Sequence, residues 1–338
     1  MVELTVKERL KISLKQFLSL VFSLCCGFSL VRLFSRPALT IIVYHRIIED
    51  EAGKIVPYIS VRRSALRRQL QFFKRHYQVI PLAQAVKLLQ KGRIDAHYLS
   101  VTFDDGYRDN FTLGMDLFKQ EGIVPTIFVT TGCIETQQML WPDQVREIVY
   151  SAQLRAPARL DQPLLMIPVD QRKRIPAVKS IITYVKGLAP ETRSQYLQHL
   201  QQLLHTSPST QQSMLTWEDI RMLSRDGAAV GSHTVSHAIL SSFPREQAWQ
   251  EIHKSKVSLE GRLGMDVNLF AYPNGTAADF NDSTVALLKQ AGYLAAVTTI
   301  RGVNRAGADP FRLKRTGVYR TDSLADIKFK LVAEALLS

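Results

Sequence analysis

The 338-residue chain has only three cysteines, Cys25, Cys26 and Cys133. Two of them are neighbours and no C-x-x-C pair exists, which excludes a disulfide scaffold and a cysteine-built zinc site. There is no internal repeat and no low-complexity tract, so solenoid and linker architectures are set aside. There is no zinc-finger or RNA-binding signature, so the net charge of +13 is not read as nucleic-acid binding. The uncharged stretch at residues 16–31 is shorter than the roughly 20 residues that cross a bilayer. No A-x-A-like site follows it, which argues against a cleaved signal peptide. Finally, no histidine occurs after His253.

What is present starts with charge. Lys7, Arg9, Lys11 and Lys15 precede the uncharged stretch, and Arg32 and Arg36 follow it. Residues 1–37 are therefore expected to form a basic, hydrophobic N-terminal segment, a membrane-surface helix or short anchor. The other reading is a hydrophobic helix packed on the domain that follows. Further basic clusters at residues 62–68, 91–93 and 171–176 suit a phospholipid surface or an anionic polymer, or simply solvated helix faces.

Beyond the N-terminal segment, short apolar runs alternate with amphipathic ones. Strands are expected at residues 39–44, 99–103, 124–129, 228–232, 267–272, 294–299 and 313–319, and helices at 64–76, 82–92, 110–122, 245–264 and 282–292. This alternation predicts an α/β fold with a parallel sheet, open or closed. Residues 142–216 break the rhythm. They hold helix-like pieces at 174–188 and 191–205 and no convincing strand, and read as a helical insertion. Such an insert either shapes substrate choice or is plain structure.

Functional groups follow the strands. Asp104 and Asp105 sit side by side after LSVTF, where two like charges repel unless something stabilises one of them. His233 and His237 follow AAVGS, four apart, a spacing that puts both imidazoles on one side of a helical turn. Pro273, Asn274 and Gly275 follow VNLFAY, and His45 and Arg46 follow LTIIVY. In α/β sheets and barrels such groups gather at one rim. Two histidines and a carboxylate make a site for Zn²⁺, with Co²⁺, Ni²⁺ and Fe²⁺ also acceptable. If Asp105 is the ligand, Asp104 is free to take a proton from water. The other reading has Asp104 capping the next helix.

The ordered set TFDDG, GSHTVSH and FAYPNG resembles the polysaccharide deacetylase family with the NodB-type domain, over roughly residues 38–320. The resemblance implies a distorted (β/α) barrel of about seven strands and metal-dependent removal of N-acetyl groups from amino sugars. It implies Asp104 as base, Asp105, His233 and His237 as metal ligands, and Pro273, Asn274 and Gly275 lining the site. The family's late general-acid histidine has no counterpart here. His45, in LTIIVYH, is similar to a histidine of the circularly permuted poly-N-acetylglucosamine deacetylase branch and is expected to be the acid. The family's arginine before the Pro-x-Gly motif is also missing. Arg315 is expected to orient Asp104 in its place, with Arg46 as second candidate. A backbone amide near Tyr107 or Asn274 is expected to face the oxyanion. Tyr44, Tyr107, Tyr272 and Trp141 are candidates to stack on sugar rings, although core packing is the more frequent role of such aromatics.

The implied partners are an N-acetylated polysaccharide or lipid-linked glycan of a bacterial envelope and a membrane surface, with no nucleic acid. Three alternatives stand beside this reading. They are a deformylase or other amidase on a lipid-linked amino sugar, a non-catalytic carbohydrate-binding relative, and an iron oxygenase built on the same ligand set.

Overall fold

The computed structural model describes residue 28 and residues 35–51, 59–136, 138–207 and 213–337. The expected N-terminal helix therefore lies outside the described residues, Phe28 apart. That ring is buried against Phe72, His76 and Tyr77. Among the described residues no helix is long and apolar enough to cross a membrane.

The described residues form twelve strands: β1 (Leu39–Tyr44), β2 (Arg46–Ile48), β3 (Ser60–Arg62), β4 (Gln78–Val79), β5 (Tyr98–Phe103), β6 (Thr126–Val129), β7 (Ala158–Asp161), β8 (Leu164–Ile167), β9 (Ala229–Ser232), β10 (Leu269–Ala271), β11 (Ala295–Val297) and β12 (Thr316–Gly317). Eight of them make one all-parallel sheet in the order β11-β10-β9-β6-β5-β1-β12, with β4 beside β5. The sheet curls and closes. Residues 313–315 hydrogen-bond to the β11 side, through Leu313 N to Ala296 O (3.1 Å) and Arg315 N to Ile300 O (2.9 Å). The next two residues, β12, pair with Ile42 and Val43 of β1. The fold is a distorted (β/α) barrel of NodB type, as expected.

The strand sequences explain the closure. β1 and β5 are buried along their whole length, which is why LTIIVY and YLSVTF read as continuous apolar runs rather than alternating ones. One face of the ring points inward. There Leu39, Ile41, Phe128, Leu269, Ala271, Val297 and Leu313 form a core of their own, joined by Leu82, Val86 and Leu89 of the helix Leu82–Gln90. The other face packs on the outer helices, with Ile42, Leu99, Val101, Phe103, Phe270 and Ile252 in the largest cluster. Period two along β5 puts Ser100, Thr102 and Asp104 on the inward side.

Two expectations change here. The helix predicted at 110–122 is two pieces, Asp109–Thr112 and Met115–Glu121. The break falls at Gly114, packed so closely that a Cβ there would lie 2.5 Å from the Asn110 carbonyl. The insert is not wholly helical. Beside its helices Trp141–Ser151, Ile175–Lys186 and Pro190–Leu203, strands β7 and β8 form an antiparallel hairpin. Each strand is four residues long and only half buried, too short for its alternation to stand out. The insert has a separate core around Val145, Ile148, Ile167, Ile181 and Leu200.

Candidate active site

The candidate groups meet at the C-terminal rim of the barrel. Asp105 leaves β5 with φ at 81°, a left-handed conformation that only local over-determination sustains in a non-glycine residue. The loop it starts is clamped by the chain returning from the insert. Arg108 N donates to Ser213 O, and Leu215 N to Gly106 O, both at 2.9 Å. In that antiparallel bridge Tyr107 faces Met214 as the pair that exchanges no hydrogen bonds, so the Tyr107 amide points away from it.

The histidines do not sit on a helical turn. Residues 233–239 are irregular, with Thr234 at φ 67° and His237 at φ 57°. The two reversals fold the segment back, so that His233 Nε2 lies 3.3 Å and His237 Nε2 3.4 Å from the same Asp105 oxygen. A carboxylate holds this shape. Glu251, on the helix Arg245–Leu263, accepts from the amides of Val235 and Ser236 (2.9 Å each) and from the Ser236 hydroxyl (2.8 Å). From the other side the Gly132 amide donates to Val235 O at 2.8 Å, and a Cβ on Gly132 would lie 2.6 Å from that oxygen.

One donor atom from each of Asp105, His233 and His237 falls within 4.8 Å of the others, all three residues buried. His233 Nδ1 lies 2.7 Å from Ala271 O. A hydrogen bond there places the proton on Nδ1 and leaves Nε2 as a lone pair facing Asp105, the tautomer a metal ligand needs. The donor set fits a divalent cation of the zinc type.

Asp104 has a different partner. Arg315, wholly buried, grips it with both terminal nitrogens, Nη1 to Oδ1 at 2.8 Å and Nη2 to Oδ2 at 2.6 Å. The guanidinium is held in turn by Thr298 O at 2.7 Å and Thr102 Oγ1 at 3.1 Å. Burial alone would raise the Asp104 carboxyl. The charge and hydrogen bonds of Arg315, with His233 and His45 nearby, outweigh it and keep the carboxyl below its ordinary range. Asp104 caps no helix; its amide donates to Tyr44 O.

His45 follows β1 at the same rim, close enough to act electrostatically on both aspartates. Its Nδ1 is buried with no partner among the described residues. Its backbone is fixed by Asn110, whose side-chain amide donates to His45 O at 2.8 Å. Arg46 does not reach Asp104. Its Nε donates to Asp109 at 2.9 Å and its guanidinium lies over the Tyr107 ring. Burial pushes the Asp109 carboxyl up to about 6, against the opposing pull of Arg46 and the Ile47 amide.

The remaining candidates divide. Asn274 sits at φ 57° and its carbonyl accepts from Thr299 Oγ1. Gly275, at φ 65°, leaves no room for a side chain, since a Cβ would lie 2.8 Å from Thr299 N. With Pro273 they form a tight rim turn. Tyr44 and Tyr272 are corrected to core residues. The Tyr44 hydroxyl donates to Gln69, and Tyr272 stacks on Phe280 and donates to Phe311 O. Tyr107 is also buried, its hydroxyl on Asp143 at 2.5 Å. Trp141 lies between the guanidinium of Arg193 and the ring of His237. Asp109, Asn110, Asp143 and Glu251 escaped the sequence reading because they hold backbone or side chains distant in the chain, and no spacing announces that.

Comparison with known proteins agrees with this geometry. The family model described as polysaccharide deacetylase matches residues 91–153 and 192–296. YxkH of Bacillus subtilis (strain 168), named for the same family, is 26% identical over 104 residues, which is 31% of this chain and 36% of that protein. The fold is shared with Streptococcus pyogenes deacetylase PplD, solved in complex with acetate (TM-score 0.59, 17% identity, 87% of this chain and 98% of that one). It is also shared with IcaB from Ammonifex degensii (TM-score 0.56, 16% identity, 89% and 98%). The matched residues carry Asp104, Asp105, His233, His237 and the Pro273 turn. They omit β1 with His45, the Arg315 segment and about half of the insert. By its core motifs and its barrel, the protein carries a polysaccharide deacetylase domain of NodB type.

Proposed function

We propose that the protein is a metal-dependent hydrolase that removes N-acetyl groups from amino sugars of a cell-envelope polysaccharide or of its lipid-linked precursor. The observation that carries this reading is the separation of the two adjacent aspartates. Asp105 faces two imidazoles, and Asp104 is held by a buried guanidinium. One carboxylate is arranged to hold a cation and the other to hold a proton.

Asp105, His233 and His237 would hold the metal, Zn²⁺ before Co²⁺, Ni²⁺ or Fe²⁺. When bound, it supplies a Lewis acid that polarises the acetyl carbonyl and makes water easier to deprotonate. Asp104, ionised at neutral pH because Arg315 holds it so, takes the proton of the attacking water. The Tyr107 amide, turned away from its bridge, is placed to donate to the developing oxyanion. His45 delivers a proton to the departing amine, and acetate leaves. Tyr107 and the Pro273–Asn274–Gly275 turn shape the mouth around the sugar. The basic N-terminal segment holds the enzyme at the membrane of the envelope.

Acetate release from N-acetylglucosamine oligomers tests this, measured on the purified protein, after chelation, and after Zn²⁺ or Co²⁺ is restored. Metal-dependent release that is lost in Asp104→Asn and in His45→Ala is the expected result. Release retained in His45→Ala removes the acid from its role. Failure of the protein to bind any divalent cation overturns the proposal.

A further inference from the structure

The part of the insert that the family model skips, residues 154–191, carries a surface that the deacetylase reading does not use. In the β7–β8 hairpin Leu160 and Ile167 point into the insert core, while Leu164 and Met166 point out. Leu164 is 73% exposed and Met166 53%, and Val169 and Ile175 follow at 42% and 51%. Half of the large exposed apolar side chains, counted among the described residues, lie on the insert. Leu164 and Met166 share the exposed face of β8, where register sets Arg159 opposite Met166, and Val169 and Ile175 follow in the chain, tied together by Arg174, which precedes Ile175 and donates to Val169 O. Around them Arg155, Arg159, Arg172, Lys173 and Lys179 are exposed. Among the described residues Asp161 pairs with Arg159, and Asp170 with Arg172. Both arginines remain open to solvent, where such pairs are weak.

Exposed apolar side chains in such a group mark a contact surface. The cations around them decide what it contacts. Aliphatic side chains ringed by Lys and Arg suit the boundary of an anionic bilayer, where the chains enter the acyl region and the cations meet phosphates. We infer that the hairpin face of the insert docks on an anionic phospholipid surface. The insert is fastened to the catalytic rim by Tyr107–Asp143, by Trp141 beside His237, and by Lys186–Asp279 (2.6 Å). Docking there carries the rim to the bilayer. On the deacetylase reading proposed above, this favours amino sugars held at the membrane over polymer in free solution.

The test is co-sedimentation of the full chain with phosphatidylcholine vesicles that contain or lack phosphatidylglycerol. Three proteins are compared: the natural chain, Leu164→Glu with Met166→Glu, and Arg172→Glu with Lys173→Glu. Thermal melting and acetate release from soluble oligomers are read in parallel. The expected result is binding that needs phosphatidylglycerol and weakens with salt. It should fall about ten-fold in each double variant, with melting and soluble activity unchanged. Variants that bind like the natural chain, or a natural chain that binds neither vesicle, overturn the inference. So does a natural dimer that the substitutions convert to monomer, because a second copy would then be the occupant. Acetate release without vesicle binding sinks the docking alone. Vesicle binding without release sinks the function alone.

Discussion

Two arginines are buried to the same degree, one in the barrel and one in the insert, and they do opposite things. Arg315 spends its charge on a carboxylate, Asp104. Arg174 has no carboxylate against it. It donates to four carbonyls, Val149, Ala152, Pro168 and Val169, at 2.7–2.8 Å. Val149 lies in the last turn of the helix Trp141–Ser151 and Ala152 caps it, where orphan carbonyls and the negative end of the helix dipole welcome a cation. Burial therefore does not identify a functional charge; its partner does. An arginine on backbone oxygens ties chain to chain. An arginine on an otherwise unoccupied carboxylate sets that carboxylate's protonation.

The comparison breaks most visibly at Arg315. Arg315→Met leaves Asp104 buried without a cation, at a cost of about 3–5 kcal/mol. Deacetylation should fall by about 10²-fold or more as the base loses its orientation and its charge. Arg315→Lys should restore most of the stability and little of the activity, because one ammonium cannot replace a two-pronged grip. Equal recovery of both would make Arg315 a structural residue like Arg174. The converse substitution, Arg174→Met, leaves carbonyls unsatisfied and should cost about 3 kcal/mol. It should sensitise residues 152–174 to proteolysis while acetate release from soluble oligomers persists. A matching loss of catalysis would show that the insert and the rim act as one unit.

Two rim carboxylates fall between these extremes. Asp109 holds Arg46 and the Ile47 amide next to the proposed acid. Its folded pKa, about 6, lies above the unfolded value of about 3.9. Its contribution to stability is therefore full below about pH 4 and is lost as pH rises through about 6, a change of about 2–3 kcal/mol. Urea midpoints across that window should show the decline in the natural protein and a flatter line in Asp109→Asn. Glu251 holds the loop between the two histidines. Glu251→Gln should weaken metal affinity by about ten-fold and leave KM for the oligomer unchanged at saturating metal, as competition with a chelator would show.

The same contrast explains what could be read from the chain beforehand. The strands of the ring were legible because a parallel strand buried on both faces is an unbroken apolar run, as in LTIIVY. The candidate groups were legible because each follows such a run. The H-x3-H segment misled, because helical spacing and a doubly reversed loop both bring residues four apart together. Only the left-handed Thr234 and His237, visible in three dimensions, tell the two apart. The hairpin was hidden in strands of four residues. Glu251 and Asn110 were hidden because they hold backbone, and an amide group carries no sequence signature.

The closure of the ring has a consequence for synthesis. The stave that brings His45 is the first of the sheet, and the one that brings Arg315 is the last, and they lie side by side. As the chain leaves the ribosome, the ligand loop and both aspartates are complete long before the guanidinium that governs Asp104 exists. During synthesis the proposed ligands and the proposed base are thus present before the cation that pairs with Asp104. On the proposed mechanism, hydrolysis switches on only when the two ends of the domain meet.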